Sequence, residues 1–262
     1  MFGNLTTEGL EDQVDRVGGN YGPVDTGIYL MTLKALYAGQ SVKGAHSVTV
    51  IGDIDGKEYT ETIYITNKEG QNWSPHRDNP KKRVPLPGFS VINNILLIVT
   101  GRPLAETQFS ERKLEIFDFE SRKRELKSVQ CADGVLGEKV YVGIHNNLVN
   151  KNEDDGTGKY VPTAEERNEN RIDAVFHPEL KITVTEALNA SKNGVDPEID
   201  YFNKWEAANK NPDGTPKTRD LRRYGKDGNG GGTPSGNSGA PGAPQAGGTK
   251  AASTNSLFGG KK

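Results

Sequence analysis

The chain has 262 residues, with 33 Lys+Arg against 35 Asp+Glu, a formal net charge of −2 and 33% hydrophobic residues. That hydrophobic share is low for a compact chain, and the deficit gathers at the C-terminal end. The composition therefore predicts one folded domain over residues 1–209 and a coreless tail over residues 210–262. A single cysteine, Cys131, excludes an intramolecular disulfide and a cysteine-rich zinc site. No apolar run reaches the roughly 18 residues of a membrane span. The opening MFGNLTTEGLEDQ lacks the basic and apolar regions of a signal peptide, so the expected setting is the cytoplasm.

TGIYLMTLKALY (26–37) is rich in β-branched, aromatic and aliphatic residues and predicts a first strand; AHSVTVIGDI predicts a second. Asp55-Gly56 readily supplies the positive φ of a hairpin turn and leads into a third strand, KEYTETIYIT. Alternation places Tyr29, Met31, Leu33, Ala35 and Tyr37 on one face of the first strand, with Thr32 and Lys34 on the other. On the third strand, Ile63 and Ile65 oppose Thr60, Thr62, Tyr64 and Thr66.

Residues 67–88, NKEGQNWSPHRDNPKKRVPLPG, follow. Prolines at 75, 80, 85 and 87 rule out a helix and argue against a regular strand, so a long loop is expected. It holds Lys68, Arg77, Lys81, Lys82 and Arg83 against Glu69 and Asp78, together with Trp73 and His76. Such loops tend to carry function, and this one calls for a negatively charged partner.

Pro87 and Gly88 punctuate the start of a helix with Phe89, Ile92, Leu96 and Val99 along one stripe, ended by Gly101-Arg102-Pro103. RKLEIFDFE reads as an extra strand or part of an insertion. EKVYVGIHNNLV (138–149) alternates as a strand. An acidic, glycine-containing loop, NEDDGTGKYVPTAEERNEN, then precedes a further strand within RIDAVFHPELKITVTEAL. DPEIDYFNKWEAANK predicts a helix with Asp196 as N-cap and Pro197 at its first position. Ile199, Phe202, Trp205 and Ala208 share one of its faces, with Trp205 expected in the core.

Three strands, a helix and two strands is the order of an OB-like five-stranded barrel, so the expected fold is mainly β: that barrel, a C-terminal helix and a tail. The tail, GKDGNGGGTPSGNSGAPGAPQAGGTKAAST, has the composition of a flexible linker. It runs to SLFGGKK, where Leu257 and Phe258 are the large apolar residues and Lys261 and Lys262 the charges.

Catalytic patterns fail on inspection. The histidines at 46, 76, 145 and 177 show no metal-ligand spacing with one another or with Cys131. NEDDGTGKY carries Tyr160 where a phosphate loop needs Ser or Thr, and Lys151 and Pro162 where a calcium loop needs carboxylates. The expectation is a protein without metal, cofactor or enzymatic activity. A polar sheet face with Lys34 and Tyr64, bordered by Trp73, Lys68, Arg77, Lys81, Lys82 and Arg83, suits single-stranded nucleic acid. Such binders combine a positive groove for phosphates with aromatic faces on which bases stack.

MFGNLTTEGLEDQ, YTETIYITNKEGQNW, the KKRVPLPGF junction and the GKYVPT…RN…VFH stretch resemble a group of bacteriophage single-stranded DNA-binding proteins. These are made by podoviruses, notably those that package their own RNA polymerase in the virion. The resemblance spans roughly residues 1 to 210 and extends to the low-complexity tail with its basic tip. It implies an OB-like DNA-binding core, roles in phage DNA replication, recombination and transcription in the host cytoplasm, and a DNA contact from an aromatic nearest Trp73. The expected partners are single-stranded DNA and, through Leu257, Phe258, Lys261 and Lys262, a phage or host RNA polymerase and replication proteins. Bacterial proteins of the wider class end in an acidic tip, which SLFGGKK does not reproduce. Two alternatives stay open on the residues: a polymerase-recruiting module with weak nucleic-acid affinity, and a double-stranded or RNA-binding OB protein.

Overall fold

The computed structural model describes residues 23–118, 121, 123–156 and 160–223. The chain is mainly β. β1 (Gly27–Gln40), β2 (His46–Ile54) and β3 (Lys57–Tyr64) form an antiparallel meander in which Leu36 faces Val50 and Thr49 faces Thr62. The turn between β2 and β3 is made by Asp55 and Gly56, with φ of 51° and 78°. Asp53 holds it by accepting the Gly56 N–H at 2.8 Å.

Residues 67–88 depart from the expected loop. β4 (Trp73–His76) and β5 (Asn79–Pro85) pair as an antiparallel hairpin of their own. The prolines are tolerated because of where they fall. Leu86 donates its N–H to the Asn72 carbonyl, so alternation makes Trp73–Pro85 and Pro75–Arg83 pairs that exchange no backbone hydrogen bond. Pro80 sits in a break of register, between the Pro75–Arg83 and His76–Asn79 pairs.

α1 (Pro87–Thr100) begins with Pro87, whose missing N–H would have had no helical partner anyway. Gly88 allows that start to press on the sheet: a Cβ there would lie 2.2 Å from the Tyr64 carbonyl oxygen. Val91, Ile92, Ile95 and Leu96 of the helix join Met31 and Leu33 in the main core.

β6 (Phe109–Asp118) and β7 (Lys123–Ala132) form a ribbon, and residues 112–118 of RKLEIFDFE belong to β6. β8 (Lys139–Asp154) and β9 (Tyr160–Phe176) follow. Most of the stretch expected to be an acidic loop between them is strand, with Asp154 opposite Tyr160 and Asn150 opposite Glu166.

α2 (Val184–Asn193) is a helix the sequence reading missed. Thr183 and Glu186 close a capping box at its start, a pattern visible in TVTE. α3 (Tyr201–Ala208) starts later than expected, with Asp200 at the N-cap, and Asp196 and Pro197 lie outside it. The cause is Glu186, whose carboxylate accepts the Tyr201 N–H at 2.7 Å and the Asp200 N–H at 3.2 Å, satisfying the first donors of the helix. Trp205 is 4% exposed and packs in a second core with Phe176 and Phe202, as expected of a core residue. Ile199 and Ala208, expected on that buried face, are exposed. β10 (Arg219–Asp220) adds to β8 in parallel, so the sheet continues past residue 209, where the domain was expected to end.

The main antiparallel path runs β3-β2-β1-β8-β9, with α1 between β3 and β8 in sequence. A closed barrel would need a ladder from β3 to β9, and none forms among the described residues: the sheet is open. At the gap the Ile172 N–H of β9 donates to the Glu61 carboxylate of β3 at 2.8 Å, not to a β3 carbonyl.

Candidate nucleic-acid interface

The open seam between β3 and β9 widens into a groove of ≈ 2350 Å³. Pockets for small molecules hold about 300–1,000 Å³, and this groove is larger. Thr60, Thr62 and Tyr64 of β3 line one wall and Glu169, Arg171 and Asp173 of β9 the other. His76, Arg83, Val84 and Pro85 of the hairpin, and Arg124 of the ribbon, stand over it.

Tyr64 lies where alternation puts it, 53% exposed on the outer face of the sheet. Trp73 is half-buried on the hairpin, and the Arg83 guanidinium covers its ring, 4.4 Å from the centroid. Arg83, expected as a phosphate contact, therefore has an aromatic partner that holds it in place. Arg77, Lys81 and Lys82 are exposed and have no ion-pair partner among the described residues. Lys68 reaches Glu69 at 3.6 Å, both side chains well exposed.

Lys34 is placed differently from expectation. Its ammonium lies 3.6 Å from both Asp53 and Glu58, so its charge is already matched. Glu58 also binds Arg124, whose hydrogen bond chiefly holds the Glu58 carboxyl below its usual range. That contact has a topological consequence. β7 meets β1 at the Tyr37–Cys131 bridge, yet its other end reaches Glu58 on β3, so the ribbon spans the outer side of the β1–β3 meander.

Ala35 and Tyr37, expected on the face of Met31 and Leu33, lie on the opposite face. Lys34 is the extra residue of a β-bulge between the Leu33–Gly52 and Ala35–Ile51 pairs. Before the bulge Met31 and Leu33 point into the core, and after it Leu36 does. Tyr37 thereby turns outward into one row with Thr49 and Thr62, whose hydroxyls hydrogen-bond at 2.9 Å. The next row along is Gly39, Ser47 and Tyr64. The outer face thus carries two tyrosines, Tyr64 exposed and Tyr37 half-buried, with Ser47 and Thr49 between them buried.

The groove also holds titratable groups that the sequence did not flag. Burial pushes the Glu61 carboxyl up to about 7, against hydrogen bonds from the Ile172 N–H and Tyr59 O–H that pull it down. Burial and the Glu61 charge push the Tyr59 phenol far above its usual value. Asp173 accepts hydrogen bonds from His145 at 3.1 Å and Trp205 at 3.2 Å. Burial raises the Asp173 carboxyl, but these bonds outweigh it and leave it below the usual range. His145 is 1% exposed and the Asp173 side chain 34%, so this triad ties α3 to β8 and β9 and leaves the Asp173 carboxylate on the groove wall.

Among the described residues no group of three His, Cys, Asp or Glu is placed to hold a metal ion, and no helix is long and apolar enough to cross a membrane. Leu257, Phe258, Lys261 and Lys262 lie outside the described residues. Comparison with protein-family models, with curated proteins and with solved structures returns no match.

Proposed function

We propose that this chain binds single-stranded DNA with little regard to sequence and acts without catalysis of its own. One observation carries the reading: the hairpin whose Arg83 lines the groove presents Trp73, clamped by Arg83, and carries Arg77, Lys81 and Lys82, exposed and without an ion-pair partner among the described residues. An indole with one face covered by a guanidinium offers the other to a base, and exposed cations on the same hairpin suit the phosphates. Tyr64 and Tyr37 on the adjoining sheet face extend the stacking surface.

The OB-like reading has partial support. The path β3-β2-β1-β8-β9, with a helix before β8, is the strand order of that fold without its closing ladder. Together with the resemblance carried by the sequence, it favours service in phage DNA replication, recombination and transcription in the host cytoplasm. Polymerase and replication proteins would then be recruited through the tail.

Competition among single-stranded DNA, RNA and duplex DNA at one salt concentration tests the reading. Single-stranded DNA is expected to win, with log affinity falling against log salt by about 0.7 per phosphate neutralised. Equal affinity for duplex and single strands overturns it, and preference for RNA moves the assignment to an RNA-binding protein.

A further inference from the structure

The free edges of the groove meet at one side chain. Glu61 of β3 accepts the Tyr59 O–H at 2.7 Å and the Ile172 N–H of β9 at 2.8 Å, both on Oε2. We infer that a polyanionic strand entering the groove drives a proton onto Glu61, so that occupancy of the groove and protonation of this carboxylate are coupled. The inference rests on the nucleic-acid reading of the groove.

The surroundings of Glu61 set the sign. Val50 faces it from β2, and α1 carries no charged residue over its whole length. From β9, Arg171 favours the carboxylate and Glu169 opposes it. No cation lies within ion-pair distance of Glu61 among the described residues, so the charge is held by hydrogen bonds in a partly dehydrated seam. It is already poised to take up a proton near neutrality. A phosphate chain in the groove adds negative potential and competes for Arg171, whose side chain is 64% exposed and held, among the described residues, only by a 4.0 Å ion pair with Glu169. Both changes disfavour the carboxylate.

Protonation at Oε1 leaves Oε2 accepting both hydrogen bonds, so the seam survives the change. By reciprocity, binding that raises the proton affinity of Glu61 is itself strengthened by protons. Affinity should then rise several-fold as pH falls from about 8 to about 6, and binding at neutral pH should take up a fraction of a proton from buffer.

His76 also lines the groove, so the contributions of the two side chains must be separated. Calorimetry of oligo(dT) binding in two buffers of different ionisation enthalpy counts the protons taken up by the full-length chain, by Glu61→Gln and by His76→Gln. Gln keeps both accepting bonds but has no proton to gain. Uptake lost in Glu61→Gln and retained in His76→Gln is the expected result. Equal uptake in Glu61→Gln and the parent chain overturns the coupling while leaving DNA binding intact. Absence of oligo(dT) binding by the parent chain overturns the nucleic-acid reading and the coupling with it. If Glu61→Gln does not fold, the carboxyl carbon resonance of Glu61 titrated with and without oligo(dT) decides: an unmoved midpoint overturns the inference, and a midpoint raised by the oligonucleotide supports it.

Discussion

The guanidinium of Arg83 lies 4.4 Å from the centroid of the Trp73 indole, and the hairpin register brings them together, since Trp73 pairs with Pro85 and Pro75 with Arg83. The two residues are diagonal neighbours on one face of a ribbon whose prolines sit where no ladder bond is lost. Arg83 fixes the plane of the indole, which makes its loss different in kind from the loss of a phosphate contact. Trp73→Ala should weaken oligonucleotide binding by roughly 1–3 kcal/mol with the fold intact. Arg83→Lys keeps the charge but gives up planar stacking, and should lose part of that amount with an unchanged salt slope. Fluorescence titration in a Trp205→Phe background reads Arg83→Lys, and anisotropy of a labelled oligonucleotide reads Trp73→Ala, which leaves that background without an indole; unchanged affinity in Arg83→Lys would make Arg83 an ordinary phosphate contact.

Lys81 and Lys82 lie in the register break of β5, exposed and without ion-pair partners among the described residues. Their replacement together by Gln should weaken binding to all single-stranded sequences alike. The slope of log affinity on log salt should flatten by about 1.4, the value for two lost contacts to single strands. Thermal melting should be unchanged, because neither side chain is buried against anything. A fall in melting temperature that accounts for the lost affinity would assign them to the fold instead.

Tyr64 and Tyr37 separate what alternation reads from what it cannot. Tyr64 follows the period of β3 and is legible from sequence. Tyr37 obeys the same rule, but the bulge at Lys34 shifts the phase by one residue, and nothing in TLKALY announces that bulge. The β4–β5 hairpin escaped for a related reason. Proline counts argue against strands in general, yet here Pro75 and Pro85 occupy positions where the ladder asks nothing of their nitrogens. α1 and the Asp55-Gly56 turn were readable because local chemistry alone fixes them. The start of α3 was not, because Glu186 caps it from another helix. Alternation puts Lys34 on the polar face of β1 but does not reveal its partners, Asp53 and Glu58, which come from two other strands. If both tyrosines stack on bases, Tyr37→Ala and Tyr64→Ala should each cost roughly 1–3 kcal/mol in oligonucleotide affinity. A loss at Tyr64 alone would confine the track to β3 and the hairpin.

The tail gives a prediction that needs no placement of its residues. Leu257 and Phe258 are large apolar side chains in a stretch whose composition offers them little to pack against, followed by Lys261 and Lys262. A tethered tip raises the local concentration of a recruited partner without any new contact in the core. Deleting residues 250–262 should leave oligonucleotide affinity within a factor of about two and abolish recruitment of a polymerase or replication protein. Pull-down of a candidate RNA polymerase with full-length and shortened chains compares them directly. Equal recovery by the two chains would remove the tail from recruitment.

Glu61 makes a prediction about the folded state that holds whether or not DNA binds. Burial lifts its carboxyl from 4.5 in the free residue to about 7 in the fold. The folded chain therefore holds this proton more tightly than the unfolded chain does. The resulting stabilisation is complete below about pH 4.5 and is lost as pH rises from there to about 7, on the order of 3 kcal/mol in all. Above that window the buried carboxylate is a standing cost, offset in part by the Tyr59 and Ile172 donors. Glu61→Gln keeps an acceptor for both donors and has nothing to titrate. Urea unfolding at about pH 5 and about pH 8 should show the variant gaining on the parent chain as pH rises, since only the parent loses this contribution. The comparison between the two chains cancels the titration of every other group they share. A difference that stays constant across the two pH values would mean that Glu61 titrates in the fold as it does in water, and that the seam between β3 and β9 is wet.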